Sequence, residues 1–324
     1  TPASAMLRSL VGSEMCIRDS NMEARINRRS FVFGASCSLC GSMILPSCTQ
    51  VPLTNRSQLN LYDSNLPIIL MGGGVAGLPK IYPNEKALNQ EVDKTYSRFL
   101  SKAKEDKILL DNTDESKKIE EIGKEIYTSL DTFYLNKREK NPVENFNWQF
   151  ALIESDTKNA WCMPGGKIAF YTGILPVCKN DDGIAAVMGH EIAHAFARHT
   201  VEKLTQASMM QMATIGISRS KYAELLNKSF RVGNVGGNVY NSVVKYGIFL
   251  PFSRKMESEA DYLGMGFMNL AGFNIKEPAK LWQRMMAGQE GRVPEFMGSH
   301  PSPDNRSKKF LEWESEILDK FPQV

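Results

Sequence analysis

One segment constrains this chain more than any other: residues 181–199, DDGIAAVMGHEIAHAFARH, where Ala, Val, Met and Ile surround two histidines and a glutamate. Such an apolar helix is stable only when neighbours cover most of its surface, so it belongs at the centre of a fold, its start capped by Asp181 or Asp182. Two imidazoles and a carboxylate buried in it are costly without partners. Residues four apart on a helix differ by about 40° around the axis and about 6 Å along it, so His190 and His194 converge on one tetrahedral cation. Glu191 stands one step around, close enough to reach a water there without being a ligand. Three of the chain's four histidines lie in this segment, and the pattern predicts one zinc ion per chain. His199, five residues beyond His194, is expected to point to another side, at the surface of the helix end.

Two imidazoles leave such a site incomplete. Downstream, FSRKMESEADYLGMGF (252–267) begins a second helix on which Glu257 and Asp261 share a face at i,i+4. That pair fits a carboxylate ligand plus a carboxylate that holds a ligand histidine by its other ring N–H. A charged helix N-terminus would account for Glu257 or Glu259 alone, but not for both together with Asp261.

Around these helices the pattern is mixed. From residue 85 apolar positions recur at helical spacing, first Val92, Tyr96, Phe99 and Leu100, then Ile119, Ile122, Ile126, Leu130 and Phe133. Residues 148–172 alternate and carry aromatic and β-branched side chains, predicting about three antiparallel strands beside the HExxH helix. The fold class is therefore α+β, mainly helical, with a small antiparallel sheet. Pro164 cannot donate to a ladder, which confines its segment, with Gly165 and Gly166, to a strand edge. Such an edge either binds an extended substrate or is merely a sheet boundary. The insert 203–250 is apolar enough for a core helix pair, a lid or a membrane-facing patch. Residues 72–77, GGGVAG, match a dinucleotide fingerprint literally, but Pro79 and Pro83 leave no helix to receive a pyrophosphate, so a loop is expected.

The remaining organisation follows from composition. A chain of 324 residues with 42% hydrophobic content can bury one large core, and 39 Lys+Arg against 36 Asp+Glu offers no surface for nucleic acid. Residues 1–21 lack any period, and VGSEMCIRDS resembles a translated sequencing adaptor, so this segment is read as non-native, with Met22 as the start. RINRR, the apolar FVFGASCSLCGSMIL (31–45) and PSC then form the three regions of an export signal over residues 22–48. Fifteen helical residues reach about 22 Å, short of the roughly 30 Å hydrocarbon core. Leu45-Pro46-Ser47-Cys48 resembles a lipobox, which makes Cys48 the expected lipid anchor to a membrane. Arg28-Arg29-Ser30-Phe31 leaves the general and twin-arginine routes both open. Cys37 and Cys40 lie inside the apolar run, where no redox turn fits. Residues 49–84 read as a polar tether and loop, and residues 85–324 as the folded domain.

Taken together, HEIAHAFARH, the SRxxExEAD segment ending in Gly264, the upstream NAWCMPGGKIAFYTGIL and the later SHPSPDNR resemble the zinc metallopeptidase family of HtpX, the CaaX prenyl protease and the Oma-type proteases. Within it the resemblance is to the soluble periplasmic lipoprotein branch, over roughly residues 85–320. It implies a zincin-type domain with His190, His194 and Glu257 as zinc ligands, Glu191 as catalytic base and Asp261 supporting a ligand histidine. His300, in the SHP motif, would lie near the metal as a transition-state stabiliser or a switchable extra ligand, unless it is simply a turn residue. With no long apolar spans flanking the HExxH helix and no helical repeats read after residue 320, the membrane-embedded and repeat-bearing branches are not the expected ones. The implied activity is zinc-dependent endopeptidase action on misfolded or unassembled envelope proteins in the bacterial periplasm, from a lipid anchor in a membrane, the outer one being expected. The alternative is a zinc-bound periplasmic chaperone or assembly factor with latent proteolysis.

Overall fold

The computed structural model describes residues 47–60, 85–206, 252–287, 296, 299–300 and 305–324. The adaptor-like residues 1–21, the export signal as far as residue 46, the glycine loop 72–77 and the insert beyond residue 206 lie outside the described residues, as do Gly298 and Pro301 to Pro303.

Both helices expected from the apolar spacing form. Helix α1 (Glu85–Glu105) buries Leu88, Val92 and Tyr96, and α2 (Asp114–Lys137) buries Ile119, Ile122, Ile126, Leu130 and Phe133. Thr113 caps α2 by accepting from the Ser116 N–H, and Arg138 closes it in the left-handed region at φ 57°.

Strands β3 (Gln149–Ile153), β4 (Ala160–Met163) and β5 (Lys167–Tyr171) form a sheet in the order β3-β5-β4. This sheet is mixed rather than wholly antiparallel: β4 and β5 make an antiparallel hairpin, but β3 runs parallel to β5. The bend near Asp156 reverses the chain without pairing its two arms. Instead β5 inserts between them, and two successive reversals leave β3 and β5 pointing the same way. Both faces are covered. Leu152, Cys162, Ile168 and Phe170 join the core built on α2 and the HExxH helix, while Ile153, Trp161, Met163 and Ala169 pack with α1.

The HExxH helix, α3 (Asp181–Phe196), is buried along nearly its whole length. Its cap is Asn180, whose side chain accepts from the Gly183 N–H; Asp181 instead pairs with Lys118, and Asp182 accepts from the Asn274 N–H. Helix α4 (Arg254–Leu270) crosses α3 at two glycines. A methyl group on Gly264 would stand 2.8 Å from the Gly189 carbonyl carbon and from the His190 nitrogen, so only glycine permits this approach. Helix α6 (Arg306–Lys320) packs on α4, and α5 (Glu277–Met286) packs on α6 and α3.

Residues 47–60, expected within signal and tether, are instead a hairpin docked on this body. Strand β1 (Ser47–Gln50) pairs antiparallel with β2 (Ser57–Asn60), Cys48 opposite Leu59. Val51 is fully buried in the main core, and Arg56 pairs with Glu202 and Glu259. Leu53 packs against the same core as Val51, and the Thr54 hydroxyl joins Arg56 on Glu259, so apolar and polar contacts together dock this short segment. None of the described helices is long and apolar enough to cross a membrane.

Candidate metal centre

The crossing of α3 over α4 brings His190, His194 and Glu257 together, and His300 closes the group from the opposite side. One ligand atom from each of these four buried residues lies within 4.8 Å of every other. His190 Nε2 is 3.0 Å from His194 Nε2, 3.3 Å from Glu257 Oε2 and 3.3 Å from His300 Nδ1. His194 Nε2 is 3.4 Å and His300 Nδ1 is 3.2 Å from Glu257 Oε1. Phe252 stacks on the His194 ring at 4.0 Å between centroids, and Phe296 on the His300 ring at 4.5 Å. These aromatic walls fix both rings.

Asp261 meets His190 Nδ1 at 3.0 Å, which holds a proton on Nδ1 and turns Nε2 toward the group. Two imidazole nitrogens 3.0 Å apart, a carboxylate between them and a third imidazole make a donor set suited to a zinc ion. Glu257 Oε2 and Glu191 Oε1 are buried without a well-formed hydrogen bond among the described residues. A cation at this place would meet the unsatisfied charge of Glu257, and the residues present therefore fit the group.

Residues 118–314 match the sequence profile of peptidase family M48. The chain belongs to this family. It is 37% identical over 180 residues to the mitochondrial metalloendopeptidase OMA1 of Schizosaccharomyces pombe, covering 55% of this chain and 50% of that protein. The OMA1 of Saccharomyces cerevisiae is 32% identical over 190 residues, covering 56% and 51%. The beta-barrel assembly-enhancing protease of Escherichia coli is 24% identical over 183 residues, covering 54% and 37%. The chain thus spans about half the length, or less, of these M48 relatives.

The electrostatics of the M48 site follow from burial and close pairing. Against the cost of burial, Asp261 and Glu257 hold His190 up at about 9 in the metal-free group. Burial and the neighbouring imidazoles and imidazolium drive His194 well below the ordinary range. Although burial opposes it, His300 and His190 hold Glu257 below the usual carboxylate range. Glu191 is pushed up by burial, with His300 and His190 pulling the other way, and its Oε1 lies 3.5 Å from His300 Nε2.

Pro164, Gly165 and Gly166 form the turn of the β4–β5 hairpin, so these three residues are a buried connection and not an open edge. Gly165 and Gly166 adopt φ of 75° and 84°, Asn89 and Trp148 pack over them, and the Gly166 carbonyl already accepts from the Gln149 N–H. The sheet's outer strand next to α3 is β4 itself.

His199 departs from its expected surface position. Helix α3 ends at Phe196, Arg198 takes a left-handed φ of 54°, and helix resumes over 199–206. The break swings His199 inward to full burial, with Nδ1 2.8 Å from His194 Nδ1. Arg306 is a residue that spacing arguments passed over. It stacks on Trp282 at 3.6 Å, hydrogen-bonds Asp261 and lies 3.8 Å from Glu257. Its signal was present as the last residue of SHPSPDNR.

Proposed function

We propose that this chain is a zinc-dependent endopeptidase acting on misfolded or unassembled envelope proteins. The observation that carries the reading is the buried Glu191 carboxylate, open at Oε1, beside a ligand set of His190, His194 and Glu257. When bound, zinc supplies Lewis acidity, which lowers the pKa of water and stabilises negative charge on a carbonyl oxygen. Glu191 takes the proton of the attacking water and delivers it to the leaving nitrogen, a role favoured by a carboxyl whose proton affinity burial has raised. Asp261, held by Arg306, keeps His190 in the tautomer that a ligand requires. The substrate lies extended along the outer edge of β4, where main-chain pairing tolerates varied sequence. That tolerance suits unfolded chains, and the names of the relatives, metalloendopeptidase and assembly-enhancing protease, support the same direction.

We place the protein in the bacterial periplasm, lipid-anchored through Cys48 to a membrane, by preference the outer one. The support is the basic, apolar and LPSC sequence within residues 22–48. Cleavage before Cys48 would leave the Cys48–Leu59 pair as the first of the docked hairpin.

A second reading, a zinc-bound chaperone or assembly factor with latent proteolysis, is favoured by one observation. His300 Nδ1 already reaches Glu257 at 3.2 Å and His190 at 3.3 Å, as an extra ligand closing the site would. Purified protein with zinc and casein separates the two. Cleavage abolished by Glu191→Gln supports the peptidase, zinc-loaded protein that cleaves nothing supports the chaperone, and undiminished cleavage by the variant removes Glu191 as base.

A further inference from the structure

His199 and Glu259 are outside the four-residue ligand set, yet both are buried and linked to it. His199 Nε2 lies 2.9 Å from Glu259 Oε2, and its Nδ1 lies 2.8 Å from His194 Nδ1. Glu259 is gripped from its far side by the N-terminal hairpin, through the Thr54 hydroxyl and the Arg56 guanidinium. Arg56 also donates to Glu202 at 2.8 Å, one turn beyond Arg198.

These bonds are not independent of one another. An ionised carboxylate only accepts, so Glu259 requires the His199 proton on Nε2. His199 is fully buried, and with Arg56 shared between Glu259 and Glu202 it is this loss of solvent that holds the ring neutral with one N–H. Its Nδ1 is then a lone pair. Two lone pairs do not face each other at 2.8 Å, so His194 must carry its own proton on Nδ1. His194 Nε2 is thereby left unprotonated, facing His190 and Glu257. Asp261 imposes the matching tautomer on His190 in one step, whereas His194 receives it through an intervening imidazole.

We propose that Arg56, Glu259 and His199 form a positioning relay that sets the tautomer and ring orientation of His194, which makes the N-terminal hairpin part of the metal centre. The proposal rests on the zinc-site reading, and its first readout is taken without metal so that the two can fail separately. In full-length, metal-free protein labelled with 15N-histidine, long-range proton–nitrogen correlation reads the tautomer of each of the four histidines. The expected result is His199 with its proton on Nε2, His194 with its proton on Nδ1, and a nitrogen–nitrogen scalar coupling across the bond between the two Nδ1 atoms. His194 found with its proton on Nε2 overturns the relay, and this wild-type measurement decides even if a variant fails to fold. The second readout is zinc affinity by chelator competition. Glu259→Leu should weaken it about 10- to 100-fold and Arg56→Met by a smaller factor. A folded Glu259→Leu protein with unchanged affinity and unchanged His194 tautomer also overturns the proposal. Wild-type protein that shows the expected tautomers but binds no zinc supports the relay and counts against the zinc reading.

Discussion

Replacing Gly264 with alanine tests whether the crossing of α3 and α4 sets the metal centre. The added methyl group would stand 2.8 Å from the Gly189 carbonyl carbon and the His190 nitrogen, where tolerable contact begins near 3.4 Å, so the helices must part by about 0.6 Å. Both obstacles are backbone and have no rotamer to escape into. Overpacking of this kind costs about 1–3 kcal/mol, and alanine's better helix propensity offsets about 1 kcal/mol, leaving a net loss of about 0–2 kcal/mol. The metal centre is less forgiving. Asp261 lies three residues before Gly264 and meets His190 Nδ1 at 3.0 Å, so the same displacement takes that contact beyond hydrogen-bond length. Losing such support weakens metal binding about 10- to 100-fold, or about 1.4–2.8 kcal/mol. Zinc affinity should therefore fall by at least as much as fold stability, read by chelator competition beside thermal unfolding of the metal-free protein. Gly266→Ala is the control: its methyl meets the Phe321 ring at 2.8 Å instead, and it should destabilise the fold while sparing zinc affinity. A folded Gly264→Ala protein that binds zinc like wild type would refute the reasoning.

Three further outcomes are expected. Glu257→Ala should strip zinc far more completely than Glu259→Ala, because the first removes a ligand atom and the second only the relay behind His194; equal metal content by atomic absorption would sink that assignment. His300→Ala should raise peptidase activity on casein if the imidazole mainly closes the site, and a fall in kcat with zinc retained would assign it to transition-state stabilisation instead. Cys48→Ser should release the protein from the membrane fraction or leave its signal uncut, since stable anchoring needs the acyl chains, and unchanged membrane retention of a fully processed variant would defeat the lipid-anchor reading.

What the sequence alone determined was the chemistry that lives within a single helix. His190 and His194 share a face, as do Glu257 and Asp261, because spacing by four is a property of the helix whatever surrounds it. The stripes of α1 and α2 were legible for the same reason. What depended on two elements meeting was not. The mixed sheet exists because β5 inserts between β3 and β4, and local alternation is identical for parallel and antiparallel neighbours. Pro164 to Gly166 occupy a buried turn because β5 pairs back on β4 at once, leaving the outer edge of the sheet to β4. His199 faces His194 only because the chain breaks at Arg198, a rotation that an unbroken helical period cannot anticipate. Arg56 reaches Glu259 across 203 residues of chain, and Asp261 reaches His190 only because two glycines let α3 and α4 touch. Ligand types are written in local spacing; their tautomers and distances come from partners brought close by packing, where a carboxylate or a missing methyl group acts through space and leaves no period along the chain.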